Sequence, residues 1–135
     1  MTWVLEPFEP YHLDGFEPQE AQASADLEWI ECGQSLRSGG RTLAIFGVTV
    51  LGPSVVRAWA ILSRDIPMIW ATRAAQKLLS EAPFRRVEIT ADVDFQQANK
   101  WAEMLGFQRE GVMRQAGPNG EDFALYARIQ CPQHS

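Results

Sequence analysis

Residues 86–129 constrain the fold of this chain more than any other stretch. They read RVEITADVDFQQANKWAEMLGFQREGVMRQAGPNGEDFALYARI. At the start, Val87, Ile89, Ala91 and Val93 alternate with Glu88, Thr90 and Asp92, the two-residue period of a strand with one apolar face. Asp94 stands where a helix N-cap is expected. Ala98, Trp101, Ala102 and Leu105 then recur at helical spacing, and Gly106 supplies a stop. Residues 107–115 and 121–129 flank Gly117-Pro118-Asn119-Gly120, which has the chemistry of a turn between paired strands. A strand, a helix and a hairpin in this order call for a sheet with a helix laid on it.

The rest of the chain extends the pattern. Residues 3–6 predict a first strand, ended by Pro7 and Pro10. Residues 18–37 predict a helix: Pro18 suits its first turn, Ala23, Leu27 and Ile30 form one stripe, and Ser38-Gly39-Gly40 reads as its stop. Residues 41–50 and 55–62 are rich in β-formers and flank a turn over residues 51–54, which predicts a hairpin. A helix follows to about Glu81, with Met68, Ala71, Ala75, Leu78 and Leu79 on its buried face. The expected order is β, α, β, β, α, β, α, β, β, an α/β (α+β) fold in a single domain over residues 1–135. Its mixed, mostly antiparallel sheet is flanked by helices, and residues 130–135 form a frayed tail.

Composition narrows the functional classes. The first 36 residues carry eight acids and no Lys or Arg, whereas all 12 basic residues lie from Arg37 onward, against nine acids. An acidic N-terminal region disfavours nucleic acid as a general partner. Residues 57–86 hold six basic residues and two acids, enough to suit a small anion. No apolar run approaches the ~20 residues of a membrane span. MTWVLEPFEP has neither the basic nor the apolar part of a secretory signal, so the expected location is cytoplasmic. Cys32 and Cys131 are then expected as reduced thiols. His12 and His134 lack neighbours at metal-ligand or triad spacing, so no metal is expected. Trp3, Trp29, Trp59, Trp70 and Trp101 suit a core or a protein-binding surface.

The element order and the run ANKWAEMLGFQREGVMR resemble the GNAT (Gcn5-related N-acetyltransferase) fold. Leu105-Gly106-Phe107, Glu110-Gly111 and Arg114 match that family's helix-to-strand segment, and Gly120, Asp122 and Tyr126 match its ending. The resemblance implies an acetyl transfer from acetyl-CoA to an amine. It places the backbone of Ala60, Ile61, Leu62 and Ser63 against the thioester and pantetheine, and Arg64 and Arg73 near the phosphates. Glu88 and Asp92, on the strand flanking the cleft, become candidate bases, and Tyr126 a candidate proton donor. The acidic N-terminal region would suit a cationic amine or a basic protein partner.

Two departures from the family pattern open a second reading. The stretch Ser63-Arg64-Asp65-Ile66-Pro67-Met68-Ile69-Trp70 lacks the glycines that let backbone N–H groups approach a pyrophosphate. The position of the family's tyrosine acid holds Ala102, and that of its helix-opening Asn holds Phe95. A GNAT-like protein that has lost catalysis and binds a host protein, or serves in the virion, as some phage-encoded ones do, is the alternative that the resemblance suggests.

Overall fold

The computed structural model describes residues 2–19, 27, 30 and 32–130. Among these described residues, seven strands form a mixed sheet accompanied by two α-helices. In chain order these are β1 (Val4–Pro7), a 3-10 turn (Pro10–Leu13), β2 (Gln34–Ser38), β3 (Arg41–Gly52), β4 (Val55–Leu62), α1 (Met68–Glu81), β5 (Arg86–Asp92), α2 (Gln96–Met104), β6 (Gln108–Met113) and β7 (Phe123–Ile129). The strand order is β1-β2-β3-β4-β5-β7-β6. The β4–β5 pair is parallel; β1–β2, β2–β3, β5–β7 and β6–β7 are antiparallel.

The chain divides into two compact units, one holding residues up to Val48 with Trp59–Ser80, the other Thr49–Ala58 with the residues from Glu81 onward. In the first, Phe8, Ile30, Ile45 and Ile61 form a buried cluster against which Leu13, Phe16, Leu27 and Trp59 pack. Trp59 occupies a notch cut by two glycines: a Cβ on Gly47 would come within 2.2 Å of its ring, and one on Gly33 within 3.5 Å. His12 is buried in the same unit. Its Nδ1 accepts the Glu9 N–H at 3.1 Å and lies 2.9 Å from the Ser35 hydroxyl. Its Nε2 lies 3.1 Å from Glu6 Oε1, outside hydrogen-bond geometry. Although Glu6, His12 and Ser35 make an acid–histidine–hydroxyl row, Ser35 has no exposed surface with which to meet a substrate.

In the second unit β5 pairs β7 at all seven positions. Val56, Val87, Ala91, Ala102, Leu105, Phe107, Ala124, Tyr126 and Ala127 are buried. The Leu-Gly-Phe motif closes α2: Gly106 takes φ +88°, a left-handed value that glycine adopts without a Cβ clash. Phe107 N–H then returns to the Ala102 carbonyl at 3.1 Å.

Three sequence expectations change. The end of the predicted 18–37 helix is a strand, β2, and Ser38-Gly39-Gly40 is the β2–β3 hairpin turn. Gly39 and Gly40 both take positive φ (58° and 78°), as a tight hairpin turn requires. Pro18, Leu27 and Ile30 also lie outside any helix, while Ala23 and Trp29 fall outside the described residues. On α1 the buried residues are Ala71, Ala74 and Ala75, whereas Met68 is 45% exposed and Leu78 and Leu79 are half-buried. Asp94 is not the N-cap of α2; Phe95 is, without a side-chain cap. The Asp92 carboxylate instead accepts the Asp94 N–H at 2.9 Å. Cys32 is a free, exposed thiol, and Cys131, His134 and the predicted tail beyond Gln130 lie outside the described residues.

Candidate active site

In the first unit the sheet delivers the end of β4 to the start of α1. Ile61, Leu62 and Ser63 are buried there. The Ser63 N–H donates to the Leu43 carbonyl of β3 at 2.8 Å. On either side of it, the Leu62 carbonyl accepts the Gln19 N–H at 2.8 Å, and the Arg64 N–H donates to the Glu17 carbonyl at 3.0 Å. These bonds make an antiparallel bridge between Pro18 and Ser63. Arg64 Nε adds a bond to the Pro18 carbonyl at 3.1 Å. Asp65, which stood near the implied phosphate position, is paired with Arg41 at 2.7 Å and accepts the Ser63 hydroxyl at 3.1 Å. The Arg41 hydrogen bond outweighs the opposing effect of burial and holds its carboxyl below the ordinary range.

The first turn of α1 is tight: the Pro67 carbonyl accepts Trp70 N–H at 2.9 Å and Ala71 N–H at 3.2 Å. Met68 and Ile69 belong to the first turn, where N–H groups lack an intrahelical acceptor. Their side chains are exposed and Trp70 is half-buried. Arg64 and Arg73 are exposed cations on this segment. It therefore carries donors that suit a phosphate, from two guanidinium groups and a helix start, in place of a glycine cradle.

The second unit holds the proposed proton-handling residues. Glu88 is buried between two arginines: Arg57 Nη2 reaches Oε1 and Arg86 Nε reaches Oε2, both at 2.9 Å. Burial alone would raise its pKa, but the hydrogen bonds from Arg86 and Arg57 prevail and lower it. A carboxylate so held is a weak proton acceptor. Arg86 also grips Glu110 with two bonds, at 2.6 and 3.1 Å. Asp92 is half-buried and has no ion pair among the described residues.

Tyr126 is 1% exposed and donates its hydroxyl to Asn99 Oδ1 at 2.7 Å. Asn99 in turn donates to the carbonyls of Asp92 (2.9 Å) and Phe95 (2.8 Å). Asn99 thus ties α2 to β5 and β7, a role sequence reasoning missed. An amide on the sheet-facing side of an amphipathic helix was the available signal. Tyr126→Phe leaves Asn99 Oδ1 without this donor and is expected to cost about 1–2 kcal/mol. Urea unfolding checks this, and a loss under about 0.3 kcal/mol would mean that water replaces the hydroxyl.

Ala102, the residue that the resemblance sets where an acid is expected, is fully buried. No group of three or more His, Cys, Asp or Glu side chains among the described residues is placed to hold a metal ion. None of the described helices is long and apolar enough to cross a membrane.

This architecture is the GNAT acetyltransferase fold. RimL, a ribosomal L7/L12 alpha-N-protein acetyltransferase in complex with coenzyme A, is similar at 23% identity and a TM-score of 0.66, over 73% of this chain and 61% of RimL. MccE, a microcin C7 self-immunity acetyltransferase in complex with acetyl-CoA and AMP, is 20% identical with a TM-score of 0.65, over 72% of this chain and 59% of MccE. A protein of Acinetobacter baylyi ADP1 assigned to the acetyltransferases matches 100% of this chain and 98% of its own at 14% identity, with a TM-score of 0.73. The chain spans less than two thirds of the length of RimL and MccE. No protein-family model and no curated protein sequence matches it.

Proposed function

We propose that the chain is an N-acetyltransferase that moves an acetyl group from acetyl-CoA to an amine. The observation that carries this reading is the fold shared with acetyltransferases solved with coenzyme A or acetyl-CoA. When bound, the cofactor supplies an acetyl group activated as a thioester. Arg64, Arg73 and the first-turn N–H groups of α1 would hold its phosphates, and the β4 end through Ile61, Leu62 and Ser63 would hold its arm. Of the acids, Asp92 is better suited than Glu88 to take a proton from the amine, because no guanidinium holds it. Buried Tyr126 and Ala102 offer no proton to the departing thiolate, so water does. In this reading residues 1–135 work as one domain, in the cytoplasm.

Calorimetry with acetyl-CoA tests the proposal. Arg73→Ala is expected to weaken binding about tenfold through loss of one charge-assisted contact. No binding to the wild-type chain at millimolar cofactor overturns the reading.

A second reading, a GNAT fold that binds a host protein in place of catalysis, is favoured by the bridge at Leu62 and Arg64 and by the two arginines on Glu88. A defined partner retained with and without cofactor, together with no acetyl transfer, supports it. Tight cofactor binding with turnover argues against it.

A further inference from the structure

The end of β4 has two edges, and hydrogen bonding distinguishes them. The Ser63 N–H goes to β3, so the groups flanking it, the Leu62 carbonyl and the Arg64 N–H, point away from β3. Both are taken by residues 17–19, which run antiparallel to β4 around Pro18. Lower on the same edge, β4 pairs β5 over only three positions, ending at Arg57↔Glu88. Residues 17–19 therefore sit where an extended chain bearing amide groups would add to β4. Among the described residues their hold is small: two backbone bonds and the Arg64 Nε contact, with Glu17 exposed and Pro18 and Gln19 half-buried.

We propose that residues 17–19 are an internal strap on the β4 edge, which the amide-bearing arm of coenzyme A displaces when it binds. The proposal rests on the acyl-CoA reading above. The Gln19 N–H and the Glu17 carbonyl act as stand-ins for ligand amides, so the strap competes with cofactor for the Leu62 carbonyl and the Arg64 N–H. Apparent affinity is the intrinsic affinity reduced by the fraction of chains whose strap is open. Arg64 then has two states: it clasps the Pro18 carbonyl when the strap is closed and turns to phosphate when it is open.

The experiment measures coenzyme A binding to the full chain by calorimetry, and amide hydrogen exchange at Gln19 with and without coenzyme A. Gln19→Pro removes the donor to Leu62, and Pro18→Gly loosens the strap while leaving β4 and α1 unchanged. Both variants are expected to bind coenzyme A about fivefold more tightly than wild type. In the wild type, saturating coenzyme A is expected to speed exchange at Gln19 at least tenfold. Binding with Gln19 still protected, or Pro18→Gly binding no more tightly than wild type, overturns the strap and leaves the acyl-CoA reading standing. No binding by any of the three chains overturns both. If Gln19→Pro fails to fold, Pro18→Gly and the wild-type exchange decide alone.

Discussion

Gly47→Ala is expected to destabilise the chain by about 3 kcal/mol, at the upper end of ordinary overpacking costs. The added Cβ would lie 2.2, 2.6 and 2.8 Å from Cζ2, Cε2 and Cη2 of Trp59, each closer than carbon atoms approach. The indole cannot retreat cheaply. Gly33 borders it, and it packs on the cluster of Phe8, Ile30, Ile45 and Ile61. Rotation out of the notch would carry a large apolar surface into water. Urea unfolding of the single variants and of Gly47→Ala with Trp59→Leu gives a double-mutant cycle. A favourable coupling above about 1 kcal/mol is expected, because the smaller side chain vacates the space the methyl needs. Additive costs would mean that Gly47 is required for a reason other than the ring.

The notch also shows which parts of the fold were legible in the sequence. The hairpin of β3 and β4 could be read from its β-formers and its turn, because both signals are local. The match between Trp59 and glycines at positions 33 and 47 could not, since it depends on strand neighbours far apart in the chain. The same limit explains β2. Gly39-Gly40 serves equally as a helix stop or as a hairpin turn, and only the pairing of residues 34–38 with β3 decides between them. Leu27 and Ile30 were read as buried and do pack in the core, but on a backbone that is not helical there. A period of four residues records burial more faithfully than it records conformation.

The candidate site divides along similar lines. The position of residues 63–67 between β4 and α1 followed from the local residue pattern, and so did the missing glycines. What those residues bind in the folded chain did not. Asp65 lies in the stretch without glycines, and its carboxylate is paired with Arg41, 24 positions away. The Leu62 carbonyl, implied as a cofactor contact, is held by the Gln19 N–H. The alternation along β5 sets Glu88, Thr90 and Asp92 on one face, yet Glu88 is buried and Ile89 only half-buried, and polarity does not distinguish a free carboxylate from one locked by arginines.

Glu88 is the residue on which that distinction has the largest effect. Glu88→Ala is expected to lower stability by about 3 kcal/mol at pH 7, and Glu88→Gln by about 2 kcal/mol. Removing one partner of a buried ion pair leaves the others uncompensated. The values lie at or below the low end of the roughly 3–5 kcal/mol that breaking a buried ion pair costs, because the side chains of Arg57 and Arg86 keep 39% and 25% exposure and water takes up part of their charge. The folded pKa of Glu88 lies below its ordinary value of 4.5. The stabilisation is therefore complete above pH 4.5 and is lost as pH falls through the lowered folded value. Unfolding curves of wild type and Glu88→Gln should accordingly diverge at pH 7 and converge near the acid limit. Equal stability at pH 7 would mean that the cluster is solvated and the carboxylate is free to act. If the chain acetylates an amine as proposed, turnover gives an independent answer. With the carboxylate held by Arg57 and Arg86, Glu88→Gln should reduce acetyl transfer less than about tenfold, whereas loss of a true general base costs about a hundredfold or more. A large drop in turnover from a stable Glu88→Gln variant would make Glu88 the base and require the arginines to let go of it in the loaded enzyme. A small drop leaves the ion cluster as a brace for β4, β5 and β6 and moves the search for the base to Asp92.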